Sequence, residues 1–341
     1  MYNPDFSYFL TSFLSRYLPG QRNASSNTIS SYAETFKLFL IYYDTEKGIK
    51  PERLNLSRIR SEGVIEFLDW LEVERHCSVT TRNQRLVAIH SFCHYVQIQS
   101  PENLYDIQKI LHIPYKKCAK TVVSFLTGDE MRILLAQPDI KTAKGKRDLV
   151  LLATLYDTAA RVQELIDLKE KDIRLTKPAT MTLHGKGRKT RQIPISGKTA
   201  ALLDGYLRSR KPCEGYSPGD RNVFVNQKDQ PLTRWGVSYI INKYVDSANR
   251  DPGFKVPFAI TPHVFRHSKS VHLLQSGVNL IYIRDFLGHV DCSTTEIYAK
   301  VDTEMKRKAI ESAYENVLPH EELPSWTDDR DLMGFLNSLG S

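Results

Sequence analysis

The sequence predicts a mainly α-helical protein of two domains with one small β-hairpin. The chain has 341 residues, enough for two cores of ordinary size. Apolar residues recur every three or four positions along most of it, which is typical of amphipathic helices. Only one stretch, between residues 179 and 195, alternates with the two-residue period of a strand. Together these observations predict helices throughout, interrupted by a single hairpin.

The N-terminal third predicts a small helical bundle, which we place at residues 1–105. In residues 26–42 the apolar side chains fall at helical spacing, and residues 63–71 and 80–95 repeat this pattern. In the last of these segments Leu86, Ile89, Phe92 and Cys93 are expected on one face. Arg82 and Arg85 are expected on another face.

Residues 106–124 are predicted to be a linker with a basic segment. Two prolines interrupt residues 101–124, and Lys116, Lys117 and Lys120 cluster there. A second domain is expected over residues 125–318. It opens with Thr127 as a helix N-cap and Glu130 three residues later, the spacing of a capping box.

The second domain predicts helices around the hairpin. Short alternating runs at 179–184 and 190–195 flank the letters GKGRK, which is typical of a β-hairpin. Thr261-Pro262 is expected to begin a helix, with threonine as the cap and proline at the first helical position. The other predicted helices cover residues 146–158, 198–210 and 233–249, a segment beginning at 293–295, and residues 330–339.

The charge distribution favours a polyanionic partner. The chain carries a net charge of +8, divided as +3 over residues 1–120, +9 over 121–318 and −4 over 319–341. None of the five cysteines forms a C-x-x-C pair, which argues against a zinc site or a disulfide framework and favours a reducing cytosol. The N-terminus lacks the pattern of a signal peptide, and the longest apolar run is far shorter than a membrane span needs. A cytoplasmic protein without a membrane partner is therefore expected.

Five short motifs stand out in the second domain: TAARVQEL, HGKGRKT, TPHVFRH, LGH and EIYAK. In order and spacing they resemble the catalytic domain of the tyrosine recombinase (phage integrase) family over residues 125–318. Residues 1–100 resemble, more loosely, the helical SAM-like core-binding domain of that family. The motifs contain Arg161, Lys186, His263 with Arg266, His289 and Tyr298. Each residue alone is weak, since an isolated arginine or tyrosine is more often a surface charge or a packing residue, but their joint occurrence is specific.

The resemblance implies a site-specific DNA recombinase that cuts and rejoins strands through a 3′-phosphotyrosyl intermediate. Tyr298 would be the nucleophile, and Arg161 and Arg266 would bind the scissile phosphate as charge accumulates on it. The guanidinium groups would supply the positive charge that metal ions supply in other nucleases. The covalent link would conserve the phosphoester, so no cofactor and no ATP are expected.

The same resemblance assigns the proton transfers. His263 would accept the proton of the tyrosine, because its ordinary pKa is near neutral. Lys186 would protonate the departing 5′-hydroxyl, with Lys189 as the nearest alternative for this role. His289 would donate a hydrogen bond to the phosphate.

One position departs from the family pattern. The family usually has glycine in the turn before the first arginine, where this chain has Thr158-Ala159-Ala160-Arg161. If that glycine position has a positive φ, alanine there costs on the order of 1 kcal/mol. The placement of Arg161 would then be slightly altered without loss of the reacting groups.

Double-stranded DNA with an inverted-repeat core site is the expected partner, bound by a homotetramer, with a second recombinase or an accessory protein as a further partner. For each candidate contact the alternative is a solvated surface charge. Trp235 is expected in the core rather than against a base. The candidate DNA-contacting residues are Arg82, Arg85, Lys116, Lys117, Arg234 and Lys243.

Residues 319–341 predict a short amphipathic tail helix among acidic residues. Docking onto a neighbouring protomer is favoured over folding back onto its own domain. Two other functions stay open: DNA relaxation of the type IB topoisomerase kind, and DNA binding by a catalytically silent relative. The length of the tail weakly favours an enzyme of a mobile genetic element over one that resolves chromosome dimers.

Overall fold

The computed structural model describes residues 6–118, 123–185, 189–210, 217 and 219–288. The chain divides into two compact units, Met1–Thr121 and Val122–Ser341, and the prediction of a mainly helical protein with a small antiparallel sheet is confirmed. Within the described ranges, no helix combines the length and the apolar composition needed to cross a membrane.

The first unit is a helical bundle. Its α-helices are α1 (Phe6–Ser12), α2 (Ser26–Lys47), α3 (Ser61–Val73), α4 (Val79–Gln99) and α5 (Leu104–Leu111). A π-helical segment, Phe13–Gln21, continues α1, and 3-10 turns lie at Pro51–Arg53, Leu56–Arg58 and Pro101–Asn103. Helix α2 begins where the Ser25 side chain accepts a hydrogen bond from the Thr28 N–H and ends at Gly48 in the left-handed conformation.

An aromatic core holds this bundle together. Phe13, Phe36 and Phe92 form edge-to-face pairs with centroids 5.1–6.3 Å apart, and all three side chains are buried. The face predicted on α4 is also confirmed, because Leu86, Ile89, Phe92 and Cys93 are all buried. The helical period of the sequence therefore located this core correctly.

The predicted linker begins too early. Residues 104–111 form α5, and Ile107, Ile110 and Ile113 are buried in the core of the first unit. The spacing of these isoleucines places them on one side of a short helix, which ends before Pro114. The connection between the units therefore starts after the residues that complete the first core.

The second unit has the helices α6 (Gly128–Leu135), α7 (Ala143–Thr158), α8 (Val162–Ile166), α9 (Gly197–Ser209), α10 (Arg234–Ala248), α11 (Pro262–Gln275) and α12 (Leu280–Leu287), and a 3-10 turn at Glu170–Asp172. The predicted capping box is confirmed: Thr127 accepts from the Glu130 N–H, and the Glu130 carboxylate accepts from the Thr127 N–H. Thr261 does occupy the N-cap position of α11, but its side chain makes no capping hydrogen bond.

The sheet has three antiparallel strands, β1 (Ile173–Arg174), β2 (Thr180–His184) and β3 (Thr190–Pro194), in that order. The predicted hairpin is β2–β3, and the short β1 was not predicted. Met181 pairs with Ile193 and Leu183 pairs with Arg191. Because side chains alternate between faces, Arg191 shares the buried face of β3 with Ile193. This register directs a charged side chain into the unit.

Candidate active site

Arg161 stands at the N-terminus of the short helix α8, directly after the turn at Thr158. The backbone conformation of this turn is unusual. Ala159 has φ +47° and ψ +32°, the left-handed region, and is fully buried. The alanine at this position therefore has a positive φ, the backbone conformation in which alanine is strained and glycine is not. The Arg161 side chain is about 38% exposed, so it remains accessible to a ligand.

Glu164 holds Arg161 in place. Its carboxylate accepts from the backbone N–H of Arg161 at 2.8 Å and from Arg161 Nη1 at 2.9 Å. The same carboxylate accepts two parallel hydrogen bonds from Arg191, at 2.8 and 2.7 Å. Burial alone would raise the pKa of Glu164, but the hydrogen bonds and charges of Arg191 and Arg161 hold that pKa below its ordinary value. Glu164 is thus an ionised carboxylate shared by two arginines.

His263 and Arg266 lie one turn apart in α11, as predicted. Arg266 is buried, and its guanidinium donates to the carbonyl of Ala159 at 2.7 Å and to the carbonyl of Leu287. The first of these bonds ties α11 to the turn that precedes Arg161. The second ties it to the last turn of α12. The structure therefore brings Arg161, His263 and Arg266 into one site.

The pKa of His263 is lowered from its ordinary value. The largest cause is partial removal of the ring from water, followed by the positive charges of Arg266 and Arg161. A lowered pKa keeps the imidazole neutral at pH 7, which is the form that accepts a proton. His267, one turn along, has a pKa lowered to about 4, first by burial and then by the charges of His263 and Arg266.

The last turn of α12 is held by two arginines. Arg266 binds the carbonyl of Leu287, and Arg191 Nε binds the carbonyl of Phe286 at 3.1 Å. Both carbonyls lie at the negative end of the helix, where cations are stabilised. Gly288 follows as a C-cap with φ +64°. It directly precedes His289 in the sequence.

Three of the predicted catalytic residues, Lys186, His289 and Tyr298, lie outside the described residues. Residues flanking two of them are described. Gly185 donates its N–H to the carbonyl of Lys189 at 2.7 Å, so these two residues lie side by side at the end of the hairpin strands.

Comparison with known proteins supplies the family. The model of the phage integrase family matches residues 124–305, and that of the phage integrase N-terminal SAM-like domain matches residues 10–99. The chain belongs to the phage integrase family. It is a tyrosine recombinase, an enzyme that breaks and rejoins DNA strands.

Two curated relatives illustrate the similarity of this recombinase along its length. It is 36% identical over 332 residues to the putative integrase/recombinase y4rC of Sinorhizobium fredii, covering 97% of each chain. It is 32% identical over 305 residues to the tyrosine recombinase XerD of Listeria monocytogenes, covering 85% of this chain and 93% of the relative.

Solved structures share the fold. The XerH recombinase bound to a palindromic difH substrate matches with a TM-score of 0.67 and 23% identity, over 88% of this chain and 84% of the other. The integrase of transposon Tn1549 in complex with circular intermediate DNA matches with a TM-score of 0.65 and 18% identity, over 88% and 98%.

Arg82 lies on the buried face of α4, although a different face was expected for it. Arg82 is only 4% exposed, and its guanidinium donates to the carbonyl of Pro114 at 3.3 Å. The reason is visible in the spacing, because Arg82 precedes Leu86 and Ile89 by four and seven residues and therefore shares their stripe. Arg85 is half-buried and donates to the carbonyl of Ser31 at 3.0 Å, so it connects α4 to α2.

The remaining candidate DNA contacts are exposed. Lys116 forms ion pairs with Glu72 and, at 3.6 Å, with Asp69, while Lys117 is also at the surface. Lys243 lies over the ring of Tyr244 at 4.4 Å and keeps an exposed side chain.

Arg234 and Trp235 open helix α10 on the surface of the second unit. Arg234 Nε donates to Gln163 Oε1 at 2.8 Å, which places it beside α8 and near Arg161. Trp235 was expected in the core, and this prediction is wrong. Its side chain is 76% exposed and stacks on Tyr239 with ring centroids 5.7 Å apart. At the first turn of α10 the buried stripe falls on Val237 and Ile240 instead.

Sequence reasoning missed Glu164 and Arg191. A signal existed for Glu164, because it follows Arg161 by three residues, the distance at which a side chain can turn back to the start of a helix. Arg191 stands two residues before the buried Ile193 in an alternating run, which indicates an inward-facing charge. A charge on that face needs a partner, and the partner is found only in the folded unit.

Proposed function

We propose that this recombinase cuts DNA at a specific site by attack of Tyr298 on a backbone phosphorus, with Arg161 and Arg266 binding the phosphate. The observation that supports this most directly is the convergence of Arg161, His263 and Arg266. Opposed charges attract most strongly where water is excluded, and the burial of Arg266 meets that condition.

In the proposed step the phenolic oxygen of Tyr298 forms a bond to phosphorus and the bond from phosphorus to the 5′-oxygen breaks. His263, which its lowered pKa keeps unprotonated at pH 7, accepts the phenolic proton. Lys186, or alternatively Lys189, protonates the departing 5′-oxygen, and His289 donates a hydrogen bond to the phosphate. The reverse reaction with a new 5′-hydroxyl joins the strands, so one phosphoester replaces another throughout.

A nicked suicide duplex tests this proposal. A nick close to the cleavage site releases a short 5′-hydroxyl fragment, so the covalent adduct accumulates. We expect the native protein to form an adduct at a 3′ end that resists denaturation, and Tyr298→Phe to form none while still binding the DNA. An adduct formed equally well by the phenylalanine variant would assign the nucleophile elsewhere.

The DNA for this assay comes from the sequences flanking the gene, where inverted repeats would mark the core site. Supercoiled plasmids with and without those repeats separate the two enzymatic functions. Dependence on the repeats is the expected result for a site-specific recombinase. Equal relaxation of both plasmids would instead indicate an activity of the type IB topoisomerase kind.

Lys117, Arg234 and Lys243 form our proposed set of DNA contacts, with Lys116 joining after it exchanges its carboxylate partners for phosphate. Replacing one phosphate-binding side chain by alanine should reduce the slope of log K against log salt by about 1. Arg82→Ala is unsuitable for this test, because its side chain supports the first unit.

The DNA-bound form is proposed to be a homotetramer in which residues 319–341 dock onto a neighbouring protomer, and the enzyme is proposed to serve a mobile element in the cytoplasm. Deletion from Pro324 onward should leave the binding of single sites intact and impair the pairing of two sites. Unchanged pairing by the truncated protein would contradict the role of the tail. A requirement for a second recombinase would appear as pairing only after that protein is added.

A further inference from the structure

Arg191 joins three segments of the second unit that the proposed chemistry uses. Its two Nη atoms bind the Glu164 carboxylate, and its Nε binds the carbonyl of Phe286 at 3.1 Å. Its backbone belongs to β3, the strand that follows the segment 186–188. The side chain is only 13% exposed. A single, mostly buried guanidinium therefore connects the hairpin, the helix that begins at Arg161 and the last turn of α12.

Close packing on two glycines marks the same junction. A Cβ added to Gly185 would lie 3.2 Å from Glu164 Oε1 and 3.3 Å from the carbonyl of Lys189. A Cβ added to Gly288 would lie 3.0 Å from Arg191 Cδ, and Gly288 also has a positive φ. The base of the hairpin loop thus lies directly on the Glu164 carboxylate, and the segment before His289 lies on the Arg191 stem.

The geometry of the bonds explains why arginine is needed at this position. The planar guanidinium donates two parallel bonds to a carboxylate and still directs Nε toward a third acceptor. A lysine ammonium is a point charge that cannot reproduce the parallel pair and reach Phe286 together. Because Arg191 pairs with Leu183 across β2 and β3, the sheet fixes the origin of the side chain.

We propose that Arg191 is a positioning residue for strand cleavage. It holds the base of the hairpin loop, at Gly185 and Lys189, against Glu164, and so places the loop lysine (Lys186, or alternatively Lys189) that protonates the 5′-oxygen. This inference rests on the proposed function. Arg191 contacts no reacting atom in this scheme and acts through Glu164 and the loop. Displacing a reacting group by about 1 Å costs roughly 100-fold in rate.

The test compares Arg191→Met and Arg191→Lys with the control Arg174→Met. Arg174 lies on β1 of the same sheet, is exposed, and donates a local hydrogen bond to the Thr176 hydroxyl. Single-turnover adduct formation is measured at saturating protein on the nicked duplex, beside the dissociation constant for DNA and the melting temperature. We expect Arg191→Met to slow adduct formation about 100-fold, with DNA affinity within about threefold of the native value.

A substrate with sulfur in place of the bridging 5′-oxygen provides the decisive measurement. A thiolate leaves without being protonated, so it does not need the general acid. If Arg191 places the loop lysine, the difference in rate between native protein and Arg191→Met should be at least about tenfold smaller on the sulfur substrate than on the ordinary one. No recovery with sulfur would overturn the proposal, as would a native rate on the ordinary substrate.

Arg191→Lys keeps a positive charge beside Glu164 and so guards against simple unfolding of the methionine variant. It should melt near the native temperature, cleave the ordinary substrate about tenfold or more slowly, and recover with sulfur. Cleavage by this variant at the native rate would overturn the proposal. If the native protein forms no adduct while Arg174→Met also forms none, the proposed function fails and this inference falls with it.

Discussion

Glu164 offers a severe test of the electrostatic argument, because one buried carboxylate neutralises two arginines. Its side chain is 3% exposed and accepts four hydrogen bonds of 2.7–2.9 Å from Arg161 and Arg191. Replacing it by glutamine preserves the volume but removes the charge and turns one acceptor into a donor. The Arg191 guanidinium, only 13% exposed, then lies beside an N–H group.

Breaking a buried ion pair by removing one partner costs about 3–5 kcal/mol. For a unit of this size, each kcal/mol lowers the melting temperature by roughly 2–4 °C. We therefore expect Glu164→Gln to melt about 6–20 °C below the native protein at pH 7. Misplacement of Arg161 should also slow adduct formation about 100-fold.

The pH dependence follows from the lowered pKa of Glu164. A carboxylate with a lowered pKa contributes stability above its unfolded pKa of about 4.3 and loses it as the pH falls through the folded value. The difference between native protein and Glu164→Gln should therefore shrink below about pH 4. Thermal denaturation followed by circular dichroism measures both quantities.

Asp167→Asn is the matched control, since Asp167 is an exposed carboxylate at the end of the same helix. It should change the unfolding free energy by no more than about 0.5 kcal/mol. A Glu164→Gln variant whose free energy of unfolding lies within about 1 kcal/mol of the native value would refute the reasoning, because loss of the ionised partner of Arg191 should destabilise the protein by more than that.

Four further predictions follow from single residues. Ala159→Gly relieves about 1 kcal/mol of left-handed strain but removes a buried methyl worth about 0.8 kcal/mol, so the melting temperature should stay within about 4 °C, whereas Ala159→Val should lower it by more. Because the pKa of His263 is lowered, the rate of adduct formation should fall only at pH values below the ordinary histidine pKa of about 6.5. Because the folded pKa of His267 is about 4, its unfolded form binds protons first as the pH falls, and stability measured by denaturant should decline by up to about 1.4 kcal/mol per pH unit between pH 6.5 and 4. Thr127→Ala, which breaks the capping box with Glu130, should cost about 1 kcal/mol in the same assay, and no loss would contradict the cap.

Local sequence signals anticipated elements whose cause is local. The Thr127–Glu130 capping box and the β2–β3 hairpin were predicted correctly, since each depends on residues close together in the chain. Signals that require knowledge of a packing partner failed. Trp235 has a large aromatic side chain of the kind common in cores, yet the buried stripe of α10 passes through Val237. Only packing decides which stripe of a helix is covered.

Arg82 is the converse case, a charged residue that was expected at the surface and is buried. A charged residue on an apolar stripe is ordinarily assigned to solvent, but the carbonyl of Pro114 offers its guanidinium an acceptor. That acceptor is 32 residues away in the sequence. No helical period contains this information.

By itself the sequence determined the class of protein and predicted the kinds of reacting group, because the types, order and spacing of the motif residues are properties of the chain alone. Only the tertiary structure decided how those groups are held. The Glu164 carboxylate serves both Arg161 and Arg191, and Arg266 reaches the carbonyls of two separate segments. Apart from the bond between Arg161 and Glu164, these contacts join residues far apart in the chain, and a buried charge is stable only where folding supplies its partner.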